Sequence, residues 1–408
     1  MELSGDGHEG RPAEVHGVKL SLLVCLGLVL CLPGLGHAQH GTGHQYPESA
    51  VSPHAFSGKP VNIAELQELL KLDEKKRDSA AERELFGLRL TERLGSARLE
   101  SLKAALPGHR SREALVALAD ASAFLSLPEA EIPAAPPPDP AEEKRIVALM
   151  VEYLGQTIPK LPNFYATRTT VHYEDTTEDP SLPGVSVFSG DPIHWGGVSA
   201  ATVIYRDGKE IVDPGLLKRK QPNPEEMGLV TTGTFGPILL TVVGDASRSQ
   251  MAFSHWEQGT GGAVAVFRVA VPKDKSHYQV AYRNPSQTQA TEQPAAYHGE
   301  VSIDPATGTI LRVTVEAEFE PGVDMVRADI MVEYGPVDIG AKSYICPLKS
   351  VSLSQGLSKV QARVATAAVS RVGPAITRLN DVTFANYHVF RSEVRVLTGE
   401  DPPPDDKP

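Results

Sequence analysis

The clearest pattern in the chain is a pair of alternating segments on either side of a turn-forming sequence. From Tyr297 to Ile303, and again from Leu311 to Ala317, apolar residues occupy every second position and polar residues lie between them. A period of two is typical of a β-strand with one buried face. The intervening Asp304 to Gly308 reads Asp-Pro-Ala-Thr-Gly, which favours a tight turn with glycine in the left-handed conformation. The pattern predicts a β-hairpin whose apolar face packs against a large partner.

The same alternation recurs through the last two thirds of the chain. It predicts about ten antiparallel strands between Phe164 and Leu397, joined by short turns. Asp207-Gly208 favours a type I′ turn. Phe235 to Ser247 fits either a short helix or a strand, and Val360 to Val369 is ambiguous. The predicted strands are Tyr165–Tyr173, Ala201–Tyr205, Glu210–Val212, Met251–Glu257, Val264–Val271, His277–Arg283, Tyr297–Ile303, Leu311–Ala317, Met325–Tyr334, Ser343–Leu353 and Ile376–Leu397.

Helical spacing dominates the earlier part of the chain. Asn62 with Glu65 three residues later matches a capping box, and leucines at helical spacing follow it. Ser111 is the expected cap of a later segment that ends near Leu125. We therefore expect three or four short helices in residues 62–127, separate from the β-rich part.

A second helix signal follows the proline- and alanine-rich residues 128–140, which we interpret as a linker. Asp139 precedes Pro140 and an acidic first turn, an arrangement typical of a helix start. An apolar stripe then runs along the predicted helix, and the strands are its expected partner. The stripe consists of Ile146, Val147, Met150, Val151 and Leu154.

These patterns predict an α+β protein. A small N-terminal helical unit precedes a curled antiparallel sheet, an incomplete β-barrel, which wraps over one helix. The predicted domains are a signal peptide (1–38), a flexible tail (39–61), the helical unit (62–127), the linker (128–140), the half-barrel with its leading helix (141–397) and a disordered tail (398–408).

The N-terminus predicts export. Leu20 to Leu32 is an apolar run preceded by Lys19, and Gly36-His37-Ala38 places small residues where a signal peptidase cleaves. The run is shorter than the roughly 20 residues that span a bilayer. We expect cleavage after Ala38 and a periplasmic or extracellular product. The preceding residues are acidic, so we expect translation to begin near Val15 or Val18.

The net charge argues against two classes of partner, and the cysteine content argues against a disulfide bond within the mature chain. A formal charge of −12 disfavours non-specific binding to nucleic acid and to anionic membrane surfaces. Two of the three cysteines lie in the predicted signal peptide, so the mature chain would keep Cys346 alone and form no intramolecular disulfide. A lone cysteine in a strand is usually buried and inert.

No catalytic, cofactor-binding or metal-ligating residue is assigned from the sequence. The histidines His172, His194, His255, His277, His298 and His388 are scattered, and no metal or nucleophile motif connects them. We interpret His298 and Glu300 as a surface hydrogen-bonded pair and Trp256, beside His255, as a core aromatic with a polar edge. The acidic residues Glu174 to Asp179 fit a solvated loop better than a calcium site. His40, His44 and His54 fit a flexible tail better than a metal site.

Several segments together resemble a family of secreted bacterial proteins to which no activity is assigned. They are Leu161–Phe164 after a helix, the Tyr205–Lys209 turn, the strand from His255 to Arg268, and Tyr297–Glu300 running into Asp304–Gly308. Residues 140–397 more remotely resemble the LolA/LolB-type lipoprotein carriers and related anti-sigma-factor regulators. That resemblance implies a half-barrel that carries a lipid or lipoprotein.

The sequence leaves three functions open. The first is a non-enzymatic exported protein that binds a lipid, acyl chain or lipoprotein in an apolar concavity, without a cofactor. The second is an interaction or scaffold module that uses the helical unit to dock a partner. The third, and least favoured, is a hydrolase that uses some of the scattered histidines and acids.

Overall fold

The structure, a computed structural model, describes residues 56–73, 76–176, 192–211, 228–229, 237–283, 291–320, 325–364 and 367–389. The predicted signal peptide, the histidines of the tail, the residues after 389 and most of the acidic loop after Asp175 lie outside these ranges. The helices are α1 (Ile63–Asp73), α2 (Asp78–Phe86), α3 (Ser96–Lys103), α4 (His109–Ala121), α5 (Pro140–Thr157) and α6 (Pro237–Ala246), with 3-10 turns at Glu129–Glu131 and Ile158–Lys160. The strands are β1 (Lys59–Val61), β2 (Leu88–Leu90), β3 (Phe164–Thr176), β4 (His194–Arg206), β5 (Lys209–Ile211), β6 (Gly228–Leu229), β7 (Gln250–Gly259), β8 (Gly262–Val271), β9 (Gln279–Arg283), β10 (Thr291–Pro294), β11 (Ala296–Ile303), β12 (Ile310–Glu318), β13 (Met325–Ile339), β14 (Lys342–Val364) and β15 (Ala367–Val389).

A large antiparallel sheet dominates the described residues, as the alternating pattern predicts. Ten strands pair in the order β5-β4-β3-β15-β14-β13-β12-β11-β8-β7. The sheet is open, because β5 and β7 remain as edges. Its order departs from a simple up-and-down sheet in two places, where β3 pairs with the last strand, β15, and where β11 pairs with β8. The first and last strands of the β-rich part therefore lie side by side in the middle of the sheet.

The segment His277–Arg283 was expected to join the main sheet, and this expectation is wrong. Its strand β9 pairs instead with β10 and β6 in a separate three-stranded sheet. Tyr278, Val280 and Tyr282 nevertheless belong to the same hydrophobic cluster as β8, β11 and β12. The small sheet thus covers part of the large one and shares its core.

The turn chemistry that the sequence predicts is confirmed. Gly308 has a φ of +74° and ends the turn between β11 and β12. A β-carbon at this glycine would lie 2.3 Å from the Leu149 carbonyl carbon of α5, so the position excludes any larger residue. Asp207 and Gly208 both have positive φ values, 52° and 77°, which is the geometry of a type I′ turn.

The two faces of the large sheet pack against different helices. On one face, Ile146, Met150 and Leu154 of α5 are buried against residues of β8, β11, β12 and β13. We call it the α5 face. The Asp139 side chain accepts hydrogen bonds from the N–H groups of Ala141 and Glu142, which confirms the predicted start of this helix.

The α5 face carries a second helix. The segment that fitted either a helix or a strand is α6, whose Ile238, Leu239 and Val242 are buried in the cluster that also contains the α5 anchors. The expectation of a single helix on this face is therefore wrong. Among the described residues, no helix is both long and apolar enough to cross a membrane.

The N-terminal helices lie against the opposite face, which we call the α4 face. Ala117 of α4 and the nearby Ala123 share a hydrophobic cluster with Tyr173, Val351 and Leu379 of the sheet. Four helices form here, and the capping box at Asn62 and Glu65 is present in both directions. The expected separation of these helices from the sheet is thus incomplete, and the domain boundaries at 128 and 140 stay a prediction.

The expected cap of α4 is wrong. The helix begins at His109, and Ser111 lies within its first turn with its side chain buried. Asp78 of α2 takes the capping role, because its carboxylate accepts bonds from the backbone N–H groups of Arg110 (3.1 Å) and Ser111 (2.9 Å). Sequence spacing cannot reveal a cap that comes from 30 residues away.

Candidate functional site

The α5 face is divided into an apolar part and a polar part. Beneath α5 and α6, the side chains of β11, β12 and β13 on this face are apolar, mostly aliphatic, with Tyr297 and Tyr334 among them. On β14, β15, β3 and β4 the pattern changes, and polar residues occupy the middle of each strand on the same face. Ser350, Ser352 and Ser354 of β14 pair directly with Val332, Ile330 and Ala328 of β13, so the two parts meet along the β13–β14 ladder.

A chain of hydrogen bonds crosses four neighbouring strands in the polar part. The Ser199 Oγ of β4 lies 2.9 Å from the Nε2 of His172 on β3. The His172 Nδ1 lies 2.9 Å from the Oδ1 of Asn380 on β15. The Asn380 Nδ2 donates to the Oγ of Ser352 on β14 at 3.2 Å. We call these residues, together with Ser350 and Ser354, the polar seam.

The chain of bonds is satisfied by a neutral His172 ring with one arrangement of protons. The carbonyl oxygen of Asn380 can only accept, so the neutral His172 ring donates from Nδ1. Its Nε2 then accepts the hydroxyl proton of Ser199. This is the tautomer in which a histidine can take a proton from a serine, with the amide holding the ring in place.

The seam is partly covered and not fully satisfied. Ser350 and Ser352 are each 1% exposed, whereas His172 and Ser199 are half-buried. Among the described residues, the Ser350 Oγ has no hydrogen-bond partner. An unpaired hydroxyl at such a buried position costs about 1–3 kcal/mol, so it is a place where a ligand atom would stabilise the structure.

His255 lies in a similar trio on the α4 face. The Ser254 Oγ is 2.9 Å from its Nδ1, and the Glu257 Oε1 is 3.1 Å from its Nε2. Glu257 also pairs with Arg93 from the helical unit. Burial alone would raise the pKa of Glu257, but the bond from His255 and the charges of Arg93 and Arg312 outweigh it and lower this pKa to about 2. The trio therefore fastens the helices to the sheet.

His277 contacts a buried carboxylate. Asp245 of α6 accepts from the backbone N–H of His277 at 2.8 Å and lies 2.6 Å from its Nδ1. The Tyr297 hydroxyl donates to the same carboxylate at 3.2 Å. These bonds join the end of α6 to the segment before β9 and to β11. The geometry explains a structural link, and in the described part of the chain no hydrogen bond joins a serine or cysteine to the His277 ring.

The predicted pairing of His298 with Glu300 is wrong. His298 lies 3.0 Å from Glu318 and 3.8 Å from Glu316, both on the neighbouring strand β12, while Glu300 faces Arg268 at 3.5 Å. Residues two apart on a strand are farther from each other than directly opposed cross-strand residues. The bond to Glu318 raises the pKa of His298.

The other candidates have structural positions. Trp256 packs against the core, 5.1 Å from the ring of Phe253, and its N–H donates to the Pro136 carbonyl at 2.8 Å, which fits the predicted aromatic with a polar edge.

Cys346 is buried, and burial raises its pKa to about 12. Asp175 accepts bonds from Ser57. His194 and His388 are exposed, with His388 beside the Tyr165 ring. Within the described ranges, no group of three or more His, Cys, Asp or Glu could hold a metal ion.

A small cleft lies between the helical unit and the sheet. Its walls are mostly apolar, and two arginines, Arg89 and Arg327, also line it. The Arg89 Nη1 is buried without a hydrogen-bond partner in the part of the chain that the structure describes. The cleft is a secondary candidate for binding.

Sequence reasoning named His172 but missed Ser199, Asn380 and Ser352. These residues lie up to 208 positions apart in the chain, and the pairing of β3 with β15 brings them together. The available signal was that four strands carry polar residues on the face where the other strands carry apolar ones. This signal identifies neighbouring residues only when the strand order is known.

The fold and the site define an α+β protein with an open ten-stranded antiparallel sheet, helices on both faces and a polar seam beside an apolar core. Comparison of the chain with protein-family models, with curated proteins and with solved structures gave no match.

Proposed function

We propose that this protein is an exported binding protein for an amphiphile, such as a lipid, an acyl chain or the acylated end of a lipoprotein. In this proposal the sheet curls into an incomplete barrel around α5, as expected from the sequence. The acyl chain enters between α5, α6 and the apolar part of the α5 face. The polar end of the ligand binds at the polar seam.

The observation that carries the proposal is the division of the α5 face. An amphiphile has one apolar part and one polar part, and this face presents an aliphatic surface directly beside a row of hydroxyl, amide and imidazole groups. The unpartnered Ser350 hydroxyl supplies an unused polar group at the boundary.

The helices α5 and α6 are suited to act as movable covers. Val151 of α5 and Leu240 of α6 are 48% and 45% exposed, so neither helix is fully enclosed. Near its start, α5 is tied to the sheet by Arg145, whose Nη2 donates to the Pro305 carbonyl at 2.9 Å. Displacement of α5 would open the apolar part to a chain of the length found in lipids.

The proposal is tested by titrating the chain from Gln39 with a fluorescent acyl probe, dansyl-undecanoic acid, in competition with palmitate. We expect saturable binding with one probe per protein and displacement by palmitate. Native mass spectrometry of protein purified from its own host should show a bound lipid. Absence of both saturable binding and bound lipid would contradict the proposal.

The position of the ligand is tested with a matched pair of variants. Arg145→Ala removes the bond to Pro305 and should raise the rate of probe association, because α5 opens more often. Glu142→Ala breaks the 2.6 Å pair with Arg145 but leaves the Arg145–Pro305 contact, so it should change the rate less. If Arg89→Leu alone abolishes binding, the ligand occupies the cleft on the α4 face and the proposed position is wrong.

Export is tested separately. A bacterial host that expresses the full chain should release a product whose first residue is Gln39. Retention of residues 1–38 in the mature protein would contradict the export proposal without touching the binding proposal.

The helical interaction module stays an alternative. Its α4 surface already packs against the sheet through the shared hydrophobic cluster, so a partner would have to bind elsewhere on these helices. No described contact favours such a partner over solvent.

A further inference from the structure

The polar seam contains the three groups that a serine hydrolase requires. Ser199 supplies a hydroxyl, His172 a base that accepts its proton, and Asn380 an acceptor that orients the base. We propose that Ser199, His172 and Asn380 form a catalytic site for the hydrolysis of acyl esters. This inference rests on the proposed function for its substrate class, and it departs from the expectation of a protein without enzymatic activity.

The geometry supports a nucleophilic role for Ser199. Its Oγ lies 2.9 Å from the His172 Nε2, within the range of a nucleophile and its base. Both residues are half-buried, so a substrate can reach them while part of the bulk water is excluded. Ser199 also lies near the sheet edge, because β5 covers β4 only from Ile204 onward.

Asn380 is a positioning residue in this proposal. Its Oδ1 accepts from the His172 Nδ1, and its Nδ2 is used by Ser352, so the amide cannot rotate without losing both bonds. The orientation of the ring therefore depends on a hydrogen-bonded amide that itself is held by the next strand. Such second partners are what keep a catalytic base in place.

The reaction balances with water as the co-reactant. The Ser199 Oγ attacks the ester carbonyl carbon while its proton passes to the His172 Nε2. The bond from that carbon to the alcohol oxygen breaks, and the alcohol leaves with the proton. Water then attacks the acyl-serine, gives a proton to the His172 Nε2 and releases the fatty acid as Ser199 regains its proton.

The strand that carries His172 also carries a cation, Arg168. Arg168 is on the same face of β3 and pairs with Ala201, two residues along β4 from Ser199. This diagonal separation is about 7–8 Å between backbones, which an arginine side chain can span. In this proposal the guanidinium is the group that reaches the oxyanion as the carbonyl is attacked.

The α4 face provides an internal comparison for the assignment. Ser254 contacts His255 at a similar distance, but Glu257 on the other ring nitrogen is paired with Arg93 beneath the helical unit. The His255 and Glu257 side chains are each 17% exposed. Ser254 is therefore a matched serine in a half-buried trio whose carboxylate is paired with Arg93.

The test uses the chain from Gln39, a fluorophosphonate probe and p-nitrophenyl butyrate and octanoate. We expect mass spectrometry to find the probe on Ser199 and to find both esters hydrolysed. Ser199→Ala and His172→Gln should lower kcat by about 10³-fold or more. Ser254→Ala should leave labelling and turnover unchanged. Circular dichroism and thermal unfolding of each variant check that it folds.

The test of Asn380 needs a measurement that distinguishes the positioning of His172 from a general effect on stability. Asn380→Ala should lower kcat by about tenfold or more with little change in KM, and Asn380→Asp should restore most of it because a carboxylate also accepts from Nδ1. Labelling on Ser254, no labelling of Ser199, or full turnover by folded Ser199→Ala would each overturn the proposal.

The binding assay keeps the two proposals apart. If Ser199→Ala binds dansyl-undecanoic acid and the wild-type protein hydrolyses no ester, the catalytic proposal fails and the binding proposal stands. If Ser199 is labelled and the butyrate ester is hydrolysed without any acyl binding, the catalytic site stands and the proposed amphiphile does not.

Discussion

The two faces of the sheet bury their polar groups in different ways. On the α4 face the groups are charged and paired, as in Arg93 with Glu257 and in Lys349, which lies 2.7 Å from Asp120 and 3.4 Å from Asp381. On the α5 face the seam consists of neutral groups, such as His172 and Asn380, joined by single hydrogen bonds. One sheet thus holds an ionic interface on one face and, on the other, a row of hydroxyl, amide and imidazole groups beside the Arg378–Glu174 ion pair (3.2 Å).

The difference indicates where function lies. A buried charge requires a partner, so the paired charges of the ionic face fix one position of the helical unit. Neutral groups tolerate incomplete pairing at a lower cost, and the seam contains a buried hydroxyl without a described partner. The α4 face is therefore suited to assembly, and the α5 face to binding and chemistry.

The largest effect should come from Lys349→Met on the ionic face. The variant leaves Asp120 and Asp381 buried together without their cation. Burial already raises the pKa of Asp120, and the negative charge of Asp381 raises it further. We expect the free energy of unfolding at pH 7, measured in guanidinium chloride, to fall by about 3–5 kcal/mol.

Lys71→Met is the matched control for this variant. Lys71 pairs with Glu68 on the surface of α1, with 68% of its side chain exposed. Its loss should change stability by less than about 1 kcal/mol. Equal effects of the two variants would show that the ionic face is no more than a set of surface pairs.

The second effect concerns the apolar part of the α5 face. Met150 is 1% exposed and packs in the core beneath α5. Met150→Ala removes buried methylene groups and leaves a cavity, so we expect a loss of about 2–4 kcal/mol in the same measurement. The new cavity should also strengthen binding of dansyl-undecanoic acid.

Val151→Ala controls for a change of helix propensity in α5. Val151 is 48% exposed, so its truncation should cost less than about 0.5 kcal/mol and leave acyl binding unchanged. If Met150→Ala were equally mild, α5 would not be anchored in the core of the sheet.

Local features of this fold could be predicted from the sequence because they depend on near neighbours. The Asp304–Gly308 turn, the Asp207-Gly208 turn and the caps at Asn62 and Asp139 each depend on residues within a few positions. The alternating pattern likewise gave most strands of the large sheet. The bounds of β14 and β15 were less clear, because the pattern weakens between Leu353 and Ile376.

Features that depend on strand order could not be predicted. The pairing of β3 with β15 joins residues 208 positions apart, and it creates the contact between His172 and Asn380. The cap of α4 by Asp78 and the partners of His298 are likewise set by tertiary packing. A serine, a histidine and an asparagine without characteristic spacing give no signal in a single sequence.

The third effect is the pH dependence of the ionic face. Burial, and to a smaller extent the negative charge of Asp329, raises the pKa of Glu316 to about 7. The folded state therefore holds this proton more tightly than the unfolded state, and stability falls as the pH rises from about 4.5 to 7. His298 acts in the same direction, because its raised pKa gives stability that is lost as the pH rises through that value.

Glu316→Gln should reduce this slope. From pH 5 to pH 8, we expect the variant to lose about 1–2 kcal/mol less stability than the wild type, as a quarter of the Glu316 side chain is exposed. The pKa of Asp120 is also raised, so Asp120 still makes part of the stability of this variant depend on pH. Glu320→Gln, at an exposed position, should follow the wild type. A parallel pH profile for Glu316→Gln would place its carboxylate in solvent.

The smallest effect should come from the neutral seam. Asn380→Ala removes the acceptor of the His172 Nδ1–H and the donor to Ser352, and both groups are neutral. We expect a loss of about 1–2 kcal/mol in the free energy of unfolding at pH 7. The same variant should lower ester turnover far more than stability. A loss as large as that of Lys349→Met would mean that the seam stabilises the sheet as much as the ion pairs do. The two faces would then differ in charge but not in their contribution to stability.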